Sequence, residues 1–167
     1  MAIVFKNLKF QIISLFPLFL LFFISLNNFS VIEIINFKFF FINFQYIIVY
    51  YWVLKKPRTL GYGFIFLAGI STDIVLGFPM AISSLTFLSI AAVAAYLRVV
   101  TVSVKLLTDW IVFFPTLFLS QIIYLIIIYF LDIEINTMNL FINLVITFFL
   151  YPICWLFFEF ISLGMKG

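Results

Sequence analysis

The chain has 167 residues and a net charge of +3, and 67% of its residues are hydrophobic while only 9% are charged. Soluble globular domains have about 45–50% apolar and about 25% charged residues. The mean hydropathy of +1.35 therefore excludes a soluble domain, and no basic face with interleaved polar residues suggests nucleic-acid binding.

The apolar runs are continuous rather than alternating, which predicts helices and not the strands of a membrane barrel. A helix rises ~1.5 Å per residue, so ~20 residues cross the ~30 Å hydrocarbon core. We predict an all-α integral membrane protein with one domain. Its six transmembrane helices are expected at residues 10–26, 39–54, 60–76, 80–97, 110–131 and 138–163.

The first apolar run is interpreted as a span and not as a cleaved signal peptide. It contains Pro17, and no small-residue cleavage site follows it. The connection of residues 98–109 is expected to lie along the membrane interface. Pro152 is expected to kink the sixth helix.

The second span ends in aromatic and then basic residues. Tyr50, Tyr51 and Trp52 are typical of the aromatic belt at headgroup level. A turn is predicted next at Pro57, because proline removes a backbone donor and disfavours a helical residue before it. The basic residues around it, which could bind a partner but are better explained by anionic headgroups, are Lys55, Lys56 and Arg58.

The distribution of positive charge predicts the orientation. Eight of the nine Lys and Arg residues fall on the side that holds both termini, and Lys38 alone falls on the other side. Cytoplasmic loops carry the excess of Lys and Arg in membrane proteins. Both termini are therefore predicted to be cytoplasmic.

Asp73 lies deep in the third apolar run, where an acid is costly. The turn Gly77-Phe78-Pro79 places it opposite three hydroxyl residues of the fourth span, namely Ser83, Ser84 and Thr86. We predict that these hydroxyls satisfy the carboxylate and that Asp73 anchors the hairpin structurally. The alternative is a proton relay, an ion site or a substrate contact.

Small residues favour close packing of the third and fourth spans, because they let helix backbones approach each other. They are Ala68, Thr72, Ala91 and Ala95. Other polar residues inside the spans either line a cavity or bond neighbouring helices, and the sequence leaves both open for Asn43, Gln45, Ser120, Gln121 and Asn143.

The sequence offers no catalytic constellation. It has no His, its one Cys lies in an apolar run, and its acids are scattered. General acid–base and nucleophilic catalysis need paired groups, and nucleotide-binding motifs are also missing. We therefore expect neither an enzyme nor a metal or cofactor site.

About 50 residues in the centre of the chain resemble the MreD family of rod shape-determining proteins. The resemblance rests first on Tyr51-Trp52-Val53-Leu54-Lys55-Lys56-Pro57, and then on Gly63-Phe64-x-Phe66-Leu67-x-Gly69 with Asp73, Gly77 and Pro79. The chain departs from the family after Pro79, where Met80-Ala81 stands in place of Leu-Gly.

The resemblance implies a non-enzymatic scaffold of the cell-wall elongation machinery in the bacterial inner membrane. Its expected partners are MreC above all, together with MreB, RodZ, RodA and a class B penicillin-binding protein. The MreD fold is similar to the substrate-binding components of energy-coupling-factor transporters, which leaves a small-molecule binding or transport subunit as the alternative. Short outward turns favour the scaffold.

Overall fold

The computed structural model describes residues 2–27, 43–57, 59–100, 105–133 and 137–164, with side chains between residues 15 and 162. The described chain contains six helices and no strand. Their bounds are α1 Ala2–Asn27, α2 Phe44–Lys55, α3 Tyr62–Leu76, α4 Ile82–Val100, α5 Leu106–Phe130 and α6 Thr137–Gly164.

Among the described residues, three helices are long and apolar enough to cross a membrane. They are α4, α5 and α6, and they indicate a membrane protein. The apolar parts of α1 and α3 are shorter, at Leu15–Asn27 and Tyr62–Leu76. The 12 residues of α2 extend about 18 Å at ~1.5 Å per residue, which is less than the hydrocarbon core. The all-helical class is confirmed, and six complete spans stay a prediction.

The helices form an open ring in the order α1, α3, α4, α5 and α6. Helix α2 lies inside this ring, where it packs against α1, α4 and α6. Every residue from Tyr46 to Leu54 is buried, and Trp52 is 0% exposed. The predicted aromatic belt at Tyr50, Tyr51 and Trp52 is therefore wrong: these rings form the protein core rather than facing headgroups.

Those rings pack against the opposite wall of the bundle. The centroid of the Tyr50 ring lies 4.8 Å from that of Phe113 and 5.7 Å from that of Tyr151. Trp52 contacts the Phe158 ring at 6.1 Å. Aromatic pairs at such separations add about 0.5–1.5 kcal/mol each beyond area burial. Tyr and Trp are common at the membrane interface, but the neighbours of these rings are other residues of the protein.

Two helices extend into the connection that the sequence places between the fourth and fifth spans. The expected connector of residues 98–109 is largely helical, since α4 continues to Val100 and α5 begins at Leu106. Asp109 lies in the first turn of α5, where the positive end of the helix dipole favours an acid. Residues 101–104 lie outside the described chain.

The reversal at Gly77-Phe78-Pro79 is confirmed, and its backbone explains it. Gly77 has φ +69°, and its N–H donates to the Ile74 carbonyl at 3.3 Å. The Phe78 N–H donates to the Asp73 carbonyl at 3.0 Å. This pair of bonds closes the helix at a residue in the left-handed backbone conformation. Glycine adopts that conformation without a steric penalty.

The same closure ends α5 with a less suitable residue. Asp132 has φ +51°, and its N–H donates to the Tyr129 carbonyl while Ile133 donates to that of Ile128. Asp and Asn tolerate the left-handed region better than other non-glycine residues. The acidic turn therefore closes a helix by its backbone conformation.

Candidate functional site

The hairpin of α3 and α4 holds most of the residues that the sequence singles out. Its turn runs from Gly77 to Ala81, and α4 begins at Ile82. Pro79 is exposed in that turn. The side chains that make the contacts between the two helices are buried.

Asp73 caps α4 from the neighbouring helix. It is 0% exposed, and its two carboxylate oxygens accept the backbone N–H of Ser83 at 2.9 and 3.2 Å. Ser83 lies in the first turn of α4, where backbone N–H groups have no partner within the helix. The positive end of the α4 dipole also stabilises the anion. Asp73 therefore acts as an N-cap of α4 although it belongs to the neighbouring helix α3.

The prediction that hydroxyl groups bond the Asp73 carboxylate is therefore wrong, because its partner is a backbone N–H. Hydroxyl groups were expected to bond the carboxylate, but the Thr86 hydroxyl donates to the Ser83 carbonyl at 2.8 Å. The Ser84 hydroxyl donates to the Phe66 carbonyl of α3 at 2.9 Å. Hydroxyls in helices commonly bond backbone carbonyls one turn away or across a close contact, which leaves the carboxylate to the backbone donor.

The backbones of α3 and α4 lie close together at Gly69. A Cβ on this residue would lie 2.7 Å from the Ser84 Oγ and closer still to the Ser84 backbone. The backbones can meet because Gly69 has no side chain, and this meeting brings Ser84 to the Phe66 carbonyl. Of the predicted small residues, Ala68, Thr72 and Ala91 are buried and Ala95 is half-buried, but the pattern of small residues did not single out Gly69.

Ala81 takes a backbone conformation that alanine rarely adopts. Its φ is +85°, and its carbonyl accepts the N–H of Leu85 in the first turn of α4 at 3.0 Å. The left-handed region costs a residue with a Cβ about 1–2 kcal/mol. The sequence departs from the MreD pattern at this position, where a glycine is expected.

A second polar group joins the C-terminal end of α2 to α5 and α6. The Lys55 ammonium pairs with Glu159 of α6 at 2.9 Å and lies 4.1 Å from the centre of the Trp155 ring. The Tyr51 hydroxyl donates to the same Glu159 oxygen at 2.9 Å. Lys55 was expected to contact headgroups, but its charge is used inside the protein.

Asp109 and Trp155 extend this group to α5. The indole N–H of Trp155 donates to the Asp109 carboxylate at 3.1 Å, and the Tyr50 hydroxyl donates to the Asp109 carbonyl at 3.3 Å. Asp109 is 3% exposed. The sequence does not point to Asp109 or Glu159, because 46 to 104 residues separate the bonded pairs.

The basic turn after α2 is also tied to the protein. The Lys56 ammonium donates to the Ser162 carbonyl at 3.2 Å, and the Thr59 N–H donates to the Lys56 carbonyl at 3.0 Å. Pro57 then occupies the second position of a four-residue turn, which its fixed φ favours. Arg58 lies outside the described residues.

Two groups of candidate residues thus lie at opposite ends of α2. Tyr46, near its start, interacts with the Thr86 hydroxyl and lies within electrostatic range of Asp73. Lys55, at its other end, meets α5 and α6. Within the described ranges, no three His, Cys, Asp or Glu side chains come together as metal ligands would.

The comparisons with family models, with curated proteins and with solved structures each find no match to this chain.

Proposed function

We propose that this chain is a non-enzymatic membrane scaffold of the bacterial cell-wall elongation machinery, similar to MreD. In this proposal it crosses the inner membrane six times, with both termini in the cytoplasm. Its partners are MreC above all, with MreB, RodZ, RodA and a class B penicillin-binding protein in the same assembly.

One observation supports the proposal most. The residues that carry the resemblance to MreD include those that build the α3–α4 hairpin. Asp73 caps α4, Gly69 allows a close helix contact and Gly77 closes α3 with a positive φ. A resemblance confined to generic apolar residues would have no such correspondence with backbone constraints.

The surface that meets the partners is proposed on α6. Helix α2 does not offer its aromatic face to a partner, because that face is buried. The outward side of α6 has exposed residues at Phe149, Ile153, Leu156 and Phe160. Association in a bilayer depends on close packing and a few polar contacts rather than on the hydrophobic effect.

A pull-down from membranes of a rod-shaped host tests the assembly. A tagged chain is solubilised in mild detergent, and the bound proteins and lipids are identified by mass spectrometry. A photo-crosslinking residue at Ile153 is compared with one at Trp52, which is buried and serves as the matched control. The proposal expects enrichment of MreC and a crosslink from Ile153 alone. Recovery of a transport ATPase module with a bound small molecule would favour the alternative.

A further inference from the structure

Two basic residues outside the polar groups described above lie at one end of α4 and α5. Arg98 is two residues before the end of α4, and Lys105 directly precedes α5. The two helices pack against each other, and the chain from Val100 to Lys105 spans at most about 18 Å when fully extended. Both cations therefore lie at the same end of one helix pair.

The protein does not neutralise these two cations. Arg98 and Lys105 are exposed, and within the described ranges neither side chain makes a hydrogen bond or an ion pair. The sequence has no acid between Asp73 and Asp109. Asp109 is 3% exposed, and its carboxylate accepts the indole N–H of Trp155 on α6. The charge at this end of α4 and α5 is therefore positive and open to a ligand.

The basic residues of the turn after α2 differ in this respect. The Lys55 ammonium pairs with Glu159, and the Lys56 ammonium donates to the Ser162 carbonyl. An anionic headgroup would have to replace these contacts within the protein before it could bind the turn. At Arg98 and Lys105 a headgroup replaces only solvent, so the contact that the sequence predicts for the turn after α2 is better placed at the end of α4 and α5.

Exposed apolar side chains flank the two cations on both helices. They are between 57% and 81% exposed, and they are Tyr96, Val99 and Val100 on α4 and Leu107 and Ile111 on α5. Both helices are long and apolar enough to cross a membrane, so these side chains lie where acyl chains meet headgroups. A ligand that fits both features has a negative head and an apolar tail, unlike a free phosphate or a soluble acidic protein.

We propose that Arg98 and Lys105 form a binding site for an anionic phospholipid, whose phosphate contacts the two cations while its acyl chains lie along the exposed apolar residues of α4 and α5. Each Lys or Arg near an anionic lipid surface strengthens binding about fivefold. The two together favour an anionic over a zwitterionic headgroup by about 25-fold. Added salt weakens this preference, because both cations are exposed to solvent. The proposal does not depend on the function proposed above.

Native mass spectrometry of the purified full chain in detergent tests the preference. The chain is mixed with phosphatidylglycerol or with phosphatidylcholine of the same acyl chains, and the lipid-bound fraction is measured. The wild type should bind phosphatidylglycerol about 25-fold more tightly, and Arg98→Gln or Lys105→Gln about fivefold more tightly. The double variant should bind the two lipids equally. Surface substitutions of this kind rarely affect folding.

Lys56→Gln is the matched control for the single variants. It also removes one positive charge, but that ammonium is already bound to the Ser162 carbonyl, so the wild-type preference should remain. A phosphatidylglycerol with a photoactivatable acyl chain then locates the site. Its crosslinks should map to the end of α4 and the start of α5, and they should be lost in the variant without Arg98 and Lys105.

Four results would overturn the proposal. The first is equal binding of the two lipids by the wild type, and the second is an unchanged preference in the double variant. The third is displacement of the lipid by an equal concentration of glycerol phosphate, which has the charge but no acyl chains. The fourth is a double variant that keeps the lipid preference but loses a bound protein in the pull-down, which would assign this surface to an acidic partner instead.

Discussion

The carboxylate of Asp73 and the backbone N–H of Ser83 join α3 to the first turn of α4 at 2.9 Å. The bond satisfies two requirements at once, because a buried acid gains a donor and a helix terminus gains an acceptor. It also explains how an acid can lie inside an apolar helix.

Substitutions at Asp73 should show how much of its contribution to stability comes from the hydrogen bond and how much from the charge. Asp73→Asn retains an acceptor oxygen for the Ser83 N–H, so we expect a loss of about 1 kcal/mol or less. Asp73→Leu leaves that buried N–H unsatisfied, at a cost of about 1–3 kcal/mol. Thermal unfolding in detergent, followed by size-exclusion fluorescence, measures both.

Ser83→Ala is the matched control for Asp73. Because the donor is the backbone N–H, removal of the hydroxyl should leave the unfolding midpoint unchanged. Loss of stability in Ser83→Ala equal to that in Asp73→Leu would contradict the backbone cap and restore the hydroxyl interpretation.

A side chain at Gly69 should separate α3 from α4. Gly69→Ala places a Cβ against the Ser84 backbone, and overpacking of this kind typically costs about 1–3 kcal/mol. Gly63→Ala on the same helix meets no atom within 4 Å and should be neutral or slightly stabilising. Equal unfolding midpoints for the two variants would show that the helices do not meet at Gly69.

The two positive-φ residues of the hairpin turn should respond in opposite directions. Ala81→Gly relieves a left-handed alanine, and we expect a net gain of up to about 1 kcal/mol after the added flexibility of the unfolded chain. Gly77→Ala should lose about 1 kcal/mol or more at φ +69°, although open space surrounds it. A destabilised Ala81→Gly variant would contradict the assigned backbone conformation.

The ion pair of Lys55 and Glu159 should show coupling in a double-mutant cycle. Either Lys55→Met or Glu159→Leu leaves a partly buried charge, whereas the double variant removes both charges. Residues in direct contact typically couple by about 0.5–3 kcal/mol, and side chains only 14% and 27% exposed favour a value within that range. Additive losses in the unfolding free energy would show that the pair does not form.

The local parts of this structure follow from the sequence. Continuous apolar runs predict helices, and Gly77 with Pro79 predicts the reversal, because both signals act within a few residues. The helix limits differ from the predicted ones by up to eight residues, since polar residues such as Thr108 and Asp109 suit a first helical turn as well as a loop.

The contacts between residues far apart in the chain do not follow from the sequence. Tyr50, Tyr51 and Trp52 suit an interface and a core equally well, so only the position of α2 within the ring decides their burial. The partners Lys55 and Glu159 are 104 residues apart. Asp73 has a backbone partner, and every residue offers a backbone N–H, so residue types alone cannot identify it.

Depletion of this chain in a rod-shaped host tests the proposed function most directly. The shape of the cells is measured together with the positions of the elongation proteins and the uptake of vitamins. The account predicts round cells, dispersed elongation proteins and normal uptake, with rod shape restored by the wild type and by Gly63→Ala but less by Gly69→Ala. Retained rod shape together with a specific defect in uptake would contradict it.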